Sequence, residues 1–293
     1  MHSLWRRISE NVQNGFMKEM IRSMMDGRVI ANRRLLKGHF LMSLKLPGSF
    51  KKPIPGQFLM VRIKGRNEPF LGRPFSVYSF AQDGRGVYVE ILYKIVGKGT
   101  MCLSGQKKGA LLEIHGPYGT PFDMDKYPRN VILVSGGIGV APVTYLASQY
   151  RHYLPAAPHL EMVCYHGVTG SRRLLGLERL KEFCSDVFIS SDDGTVGYHG
   201  SVVEMFEKDV LSYNPEDTMI YACGPRPMLK KLAGLGEVPR FRCQALLEEH
   251  MACGLGACLG CAIRVRDGEG RGAYRRVCTD GPVFNIQDIE WDY

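Results

Sequence analysis

At 293 residues, with 45% apolar and 23% charged side chains, the chain has the composition of a globular protein of about two domains at roughly 100–200 residues each. A mainly disordered chain is thereby excluded. Lys and Arg number 38 against 29 Asp and Glu, and the net charge of +9 permits anionic ligands or nucleic acid without requiring either.

Nine cysteines with no apolar export segment ahead of them argue against a secreted disulfide framework and for a reduced, cytoplasmic compartment. The longest apolar stretch, Val131–Ala147, is interrupted by Gly136, Gly137, Gly139 and Pro142. It reads as a strand and a turn, so no integral membrane contact is expected.

Residues 1–26 read as an extension in which Trp5, Ile8, Val12 and Phe16 recur at helical spacing. From 27 to 125 the pattern is β. Short runs at Arg28–Asn32, Phe40–Leu46, Phe58–Ile63, Phe75–Ala81, Val87–Ile95 and Leu111–His115 are separated by turn signals such as Pro55-Gly56 and Asp83-Gly84. Six short strands at this spacing predict a small antiparallel barrel.

Two motifs lie within that barrel. Arg73, followed by Pro74, Phe75 and Ser76, opens a strand, and its planar fork can pair with a phosphate. Gly97-Lys98-Gly99-Thr100 forms a glycine turn whose backbone donors can complete a phosphate cradle. Either could equally be an ordinary hairpin.

Near Asn130 the texture changes. Val131–Val134, Met162–His166, Val187–Ser190 and Met219–Ala222 are continuous apolar runs with helical stretches between them, which predicts a parallel α/β sheet over 126–239. The turn Gly136-Gly137-Ile138-Gly139 after the first run lets a backbone approach a pyrophosphate closely, ahead of a helix from about Pro142 to Arg151. It lacks the G-x-G-x-x-G order and could be a packing turn. Cys223-Gly224-Pro225 ends a later strand at the edge where open α/β sheets bind ligands. Asp192-Asp193-Gly194 reads as a turn, with a cofactor contact as the alternative. Arg172 and Arg173 read as solvated charges or as ribose contacts, so NAD and NADP stay open. His115, His166 and His199 read as core or surface residues, and no acid–base catalytic constellation stands out.

The tail, 240–293, holds Cys253-x4-Cys258-x2-Cys261 and then Cys278. The first three match the start of a plant-type [2Fe-2S] spacing, and Gly254, Gly256, Ala257 and Gly260 let the chain wrap closely around such a cluster. A structural zinc site, or four inert thiols, are the alternatives. The short gap to Cys278 departs from plant-type ferredoxins and points to a different small fold.

In this order the motifs, with Glu249 to Cys261 and Cys278-Thr279-Asp280-Gly281-Pro282-Val283-Phe284, resemble the ferredoxin–NADP reductase superfamily. Within it they resemble the electron-transfer subunits of the dihydroorotate dehydrogenase B family, over roughly 27–293. The resemblance implies FAD held by Arg73, Pro74, Phe75, Ser76, Leu92, Tyr93, Lys94, Gly99 and Thr100. It implies NAD near Gly136, Gly137, Gly139, Cys223, Gly224 and Pro225, and a [2Fe-2S] cluster on Cys253, Cys258, Cys261 and Cys278.

By the same resemblance the partner is an FMN-containing dihydroorotate dehydrogenase catalytic subunit, two of each chain, in pyrimidine biosynthesis. A related flavin and iron–sulfur subunit of a ferredoxin:NADP oxidoreductase, a sulfite reductase or a hydrogenase is the second reading. A basic nucleic-acid-binding protein with a zinc knuckle is a third, against which the basic residues are dispersed with no aromatic–basic motif. His250 stands where the family pattern has an arginine.

Overall fold

The computed structural model describes residues 24–66, 68–124, 128–151, 159–266 and 270–292. The helical periodicity at Trp5–Phe16 lies outside them. Met24, Met25 and Asp26, assigned above to the extension, already belong to the first strand, where they pair with His115, Ile114 and Glu113.

The first half runs β1 (Met24–Leu36), β2 (His39–Leu46), β3 (Phe58–Ile63), β4 (Arg73–Ser76), β5 (Ser79–Asp83), β6 (Gly86–Lys94), helix α1 (Lys98–Ser104) and β7 (Leu111–Tyr118). The strands form one antiparallel sheet in the order β4-β3-β7-β1-β2-β6-β5. The run expected as a single strand at Phe75–Ala81 is two strands on opposite edges of this sheet, joined only by Val77 and Tyr78. Laid flat, seven strands would hold those edges about 30 Å apart. The three residue steps from Ser76 to Ser79 span at most about 11 Å. The sheet must therefore curl until the linked ends of its edges come within that distance, giving an open half-barrel rather than a closed barrel, around a core that includes Val29, Met42, Leu44, Leu59, Val89 and Ile91. α1 was not expected from the glycine turn that precedes it.

The second half runs β8 (Asn130–Gly136), α2 (Val140–Tyr150), β9 (Glu161–Val168), α3 (Leu177–Phe183), β10 (Asp186–Ser191), β11 (Tyr198–His199), α4 (Val202–Asp209), β12 (Thr218–Cys223), α5 (Arg226–Ala233), β13 (Arg242–Leu246), β14 (Ala262–Arg266), β15 (Gly272–Arg276) and β16 (Val283–Asn285). The second sheet has the order β11-β10-β9-β8-β12-β13-β16, parallel except for β16. Its central strand shows why the apolar runs are continuous. Val131 and Leu133 face one core while Ile132 and Val134 face the other, and each buried side chain contributes roughly 1.5–3 kcal/mol.

The chain leaves β8 toward β9 and β10 on one side, then returns to β12 on the other. That places a switch point between the carboxyl ends of β8 and β12.

The division at 239/240 put β13 with the cysteine-rich tail, but β13 pairs with β12 and β16 and so belongs to the parallel sheet. The cysteine segment is thus held between two strands of that sheet. It is also pinned to the curled sheet, since Thr120 N–H donates to Gly281 O at 2.6 Å. Within it, β14 and β15 form a separate two-stranded hairpin. No helix among the described residues is long and apolar enough to cross a membrane.

Candidate functional site

A cavity of about 820 Å³ opens where the curled sheet, the parallel sheet and the cysteine segment meet. All nine residues named from the sequence for a flavin line it: Arg73, Pro74, Phe75 and Ser76 on β4, Leu92, Tyr93 and Lys94 at the end of β6, and Gly99 and Thr100 at the start of α1.

The local chemistry explains several positions. Arg73 Nη1 donates to the carbonyls of Leu71 and Gly72 at 2.9 and 3.0 Å, which fixes the guanidinium. A Cβ on Gly99 would lie 2.7 Å from Arg73 Nε, so a larger residue there would have to displace the guanidinium. The Thr100 hydroxyl is occupied locally, accepting from Val96 N and donating to Gly97 O, and it closes the turn. Tyr93 donates to Asn32 Oδ1 at 3.0 Å, and burial pushes its phenol up to about 12.

The two nucleotide motifs meet at the switch point. Ser135 pairs with Cys223 across β8 and β12, and the turn after β8 lies against the backbone after β12. A Cβ on Gly139 would sit 2.2 Å from the Cys223 carbonyl oxygen. Gly139→Ala should therefore force the strand ends apart at a cost of about 2–3 kcal/mol, read as a lower thermal midpoint together with weaker nicotinamide-cofactor binding. None of Gly136, Gly137, Gly139, Cys223, Gly224 and Pro225 lines the cavity itself, while Ile138, Ala141 and Pro142, next to the glycine turn, form part of its wall. Burial pushes the Cys223 thiol well up, assisted by the nearby Glu248 charge.

In the same row, on the other side of Ser135, the buried His166 shares a 2.8 Å hydrogen bond between its Nδ1 and Ser135 Oγ. Desolvation lowers its pKa from 6.5 to about 4. The folded value lies below the unfolded one, so the contribution is complete above 6.5 and is lost as pH falls from there toward about 4. The span corresponds to about 3 kcal/mol, and His166→Asn should flatten this part of a plot of unfolding free energy against pH.

The four cysteines stand as two pairs. Cys253 Sγ and Cys258 Sγ are 3.4 Å apart, and the Cys261 thiol is close enough to Cys278 to raise its pKa. A two-iron cluster takes two thiolates on each iron, which two such pairs supply. The N–H groups of Leu255 and Cys258 point at Cys253 Sγ, both at 3.4 Å. Gly256, at a φ of +78°, aims its N–H at Cys278 Sγ at 3.2 Å. Burial raises the Cys253 thiol, but these donors outweigh it and bring the pKa down to about 7. Burial and the neighbouring Cys261 push Cys278 up to about 12.

The reading from sequence set out no cavity wall at Leu246 to Ala252 with Gly260 and Pro282, although Glu249–Ala252, Gly260 and Pro282 lie in its cysteine motifs and His250 was singled out there. This wall leads directly into Cys253, and His250 lies on it. Glu248 opens onto the cavity but is ringed by protein, which pushes its carboxyl up. Asp193 accepts from Thr195 N and Oγ1, as its turn requires, and Arg172 and Arg173 lie on an exposed 3-10 turn after β9.

Three family models match the chain. They are an oxidoreductase FAD-binding domain over 26–122, an oxidoreductase NAD-binding domain over 133–233, and the iron-sulfur cluster binding domain of dihydroorotate dehydrogenase B over 248–290. The dihydroorotate dehydrogenase B (NAD(+)) electron transfer subunit of Caldanaerobacter subterraneus subsp. tengcongensis is 39% identical, covering 90% of this chain and 98% of the relative. The protein of the same name from Desulforamulus reducens is 31% identical over 91% and 98%. Among solved structures, an NADH-dependent reduced ferredoxin-NADP oxidoreductase aligns with a TM-score of 0.77 at 24% identity, over 91% of this chain and 90% of that one. A ferredoxin NADP+ reductase from Neisseria gonorrhoeae aligns at 0.59 and 15%, over 72% and 89%. At these identities the two structures speak for the fold.

Proposed function

The chain belongs to the family of dihydroorotate dehydrogenase B electron transfer subunits, and from that membership we propose that the cavity, the glycine turn and the cysteine loop are three stations of one electron path. It is an NAD-linked flavin and iron–sulfur oxidoreductase subunit, passing electrons between a catalytic subunit and NAD through [2Fe-2S] and FAD in pyrimidine biosynthesis. When bound, NAD exchanges electrons in pairs as hydride, FAD takes pairs and releases them singly, and the cluster carries one at a time.

The chain's own residues hold and orient these groups. The Arg73 fork meets phosphate beside Gly99, and Pro74, Phe75, Ser76 and Leu92 to Lys94 flank the ring. The backbone at Gly136–Gly139 and Cys223–Pro225 admits the pyrophosphate of NAD. Cys253, Cys258, Cys261 and Cys278 hold the cluster, with the surrounding N–H groups stabilising the negative charge on sulfur.

The catalytic partner carries FMN and oxidises dihydroorotate, two copies of each chain assemble, and the complex works in the cytoplasm. One observation carries the three-station path within the chain. Ala252 and Gly260 of the cysteine loop line the same cavity as Arg73–Ser76 and Ile138, so one chamber serves all three units. Purified without oxygen, the chain should carry FAD with two irons and two sulfides, and NADH should bleach its flavin. A colourless protein holding zinc would contradict it.

A further inference from the structure

We infer that Arg179 is a positioning residue for the step between NADH and flavin: it clasps the nucleotide-binding unit onto the flavin-binding sheet and so sets how the two cofactors face each other. This rests on the functional reading above.

Arg179 stands on α3 of the parallel unit. Its Nη2 lies 2.8 Å from Glu90 Oε2 on β6 of the curled sheet, and its guanidinium carbon lies 4.9 Å from the centre of the Tyr78 ring. Both targets are held firmly from behind. Glu90 Oε1 accepts from Ser43 Oγ on β2 at 3.0 Å, and Tyr78 N–H donates to the Glu90 carbonyl at 2.8 Å. Tyr78 is buried in the apolar core that the two units share, with Leu41 and Leu92 from one side and Val140, Leu146 and Leu180 from the other.

The places touched are telling. Tyr78 lies in the two-residue link between the sheet's edges, two positions after Ser76, and Ser76 and Leu92 line the cavity. On the other side, α3 follows the turn at Ser171–Arg173, which leaves the carboxyl end of β9. That is the sheet edge along which a nucleotide lies. One arginine therefore ties the nucleotide edge to the strand link that ends the flavin motif.

The shared apolar core supplies adhesion without direction. Direction comes from polar contacts, of which Tyr145 Oη donating to Pro53 O at 2.6 Å is a second. At side-chain exposures of 36% and 19%, the Arg179–Glu90 pair adds little to stability. Its effect is on angle, where a displacement of about 1 Å can slow chemistry by up to roughly 100-fold.

The test uses the full chain with its cofactors. In Arg179→Met the limiting rate of flavin bleaching at saturating NADH should fall about tenfold, while half-saturating NADH and FAD content stay at parent values. Arg179→Lys should recover part of the rate, because it keeps the charge and loses the planar stack on Tyr78. Glu90→Gln should match Arg179→Met, and the double variant should be no slower than either. A purely structural role would lower the thermal midpoint and leave the limiting rate alone. An unchanged limiting rate in Arg179→Met, with parent protein bleaching normally, overturns the clasp and leaves the functional reading intact. Parent flavin inert to NADH refutes that reading, and the clasp's role falls with it.

Discussion

Cys258→Ser is expected to stop electron delivery to the catalytic subunit while NADH still reduces the flavin. Cys258 is one of the paired thiols, 3.4 Å from Cys253, and its own N–H also points at the Cys253 sulfur. A serine hydroxyl is a far poorer iron ligand than a thiolate at neutral pH. Loss of mere outer-shell partners typically weakens a metal site 10–100-fold, so loss of a direct ligand should lower delivery by more than about 100-fold. The contacts placed around flavin and NAD come from β4, β6, α1 and the turns after β8 and β12; Ala252 and Gly260 of the cysteine segment line the same cavity, but none of these positions is a cluster cysteine. Flavin bleaching by NADH should therefore stay within about threefold of the parent, as for independent sites. Stopped-flow traces with and without the partner separate the two steps. Delivery to the partner at the parent rate would remove the cysteine loop from the path.

Arg73→Ala should release the flavin. The guanidinium is fixed by two carbonyls and fits over Gly99, so it is already oriented before a phosphate arrives. A hydrogen bond to a charged group is worth about 1.5–3 kcal/mol, and the upper figure corresponds to roughly 100-fold in Kd. Arg73→Lys should recover only part of this, because a point charge does not reproduce the fork. Flavin retained after dialysis is the measurement. Unchanged occupancy in Arg73→Ala would refute the phosphate role.

Much of this architecture was legible from local pattern. Three of the four apolar runs, in β8, β9 and β12, announce themselves because each strand is packed on both faces and so cannot carry a polar residue between apolar ones, whereas β10 is half-exposed with Phe188 at the surface. The cysteine spacing is legible for a chemical reason, since three ligands on one short loop must sit at distances the chain can turn through.

What was missed is non-local. The break at Val77–Tyr78 follows from the curl of the whole sheet, because both halves of Phe75–Ala81 are good strand sequences and nothing within them marks a change of edge. β13, Arg-Cys-Gln-Ala-Leu, is short and carries two polar residues, and only its pairing to β12 and β16 assigns it to the parallel sheet. The cavity wall at Leu246–Ala252 escaped for the same reason. A signal was available, however, since the segment runs from a strand end directly into Cys253, and a loop that presents a cluster to a flavin has to pass close to both.

Dihydroorotate-dependent reduction of NAD by the complex, purified anaerobically through this chain from its own cells, tests the central claim most directly. The account predicts that an FMN-bearing subunit co-purifies, that NADH forms when dihydroorotate is added, and that Cys258→Ser abolishes this. A complex loaded with flavin and iron that forms no NADH from dihydroorotate would contradict it, and the co-purifying subunit would then identify the electron donor or acceptor this chain serves.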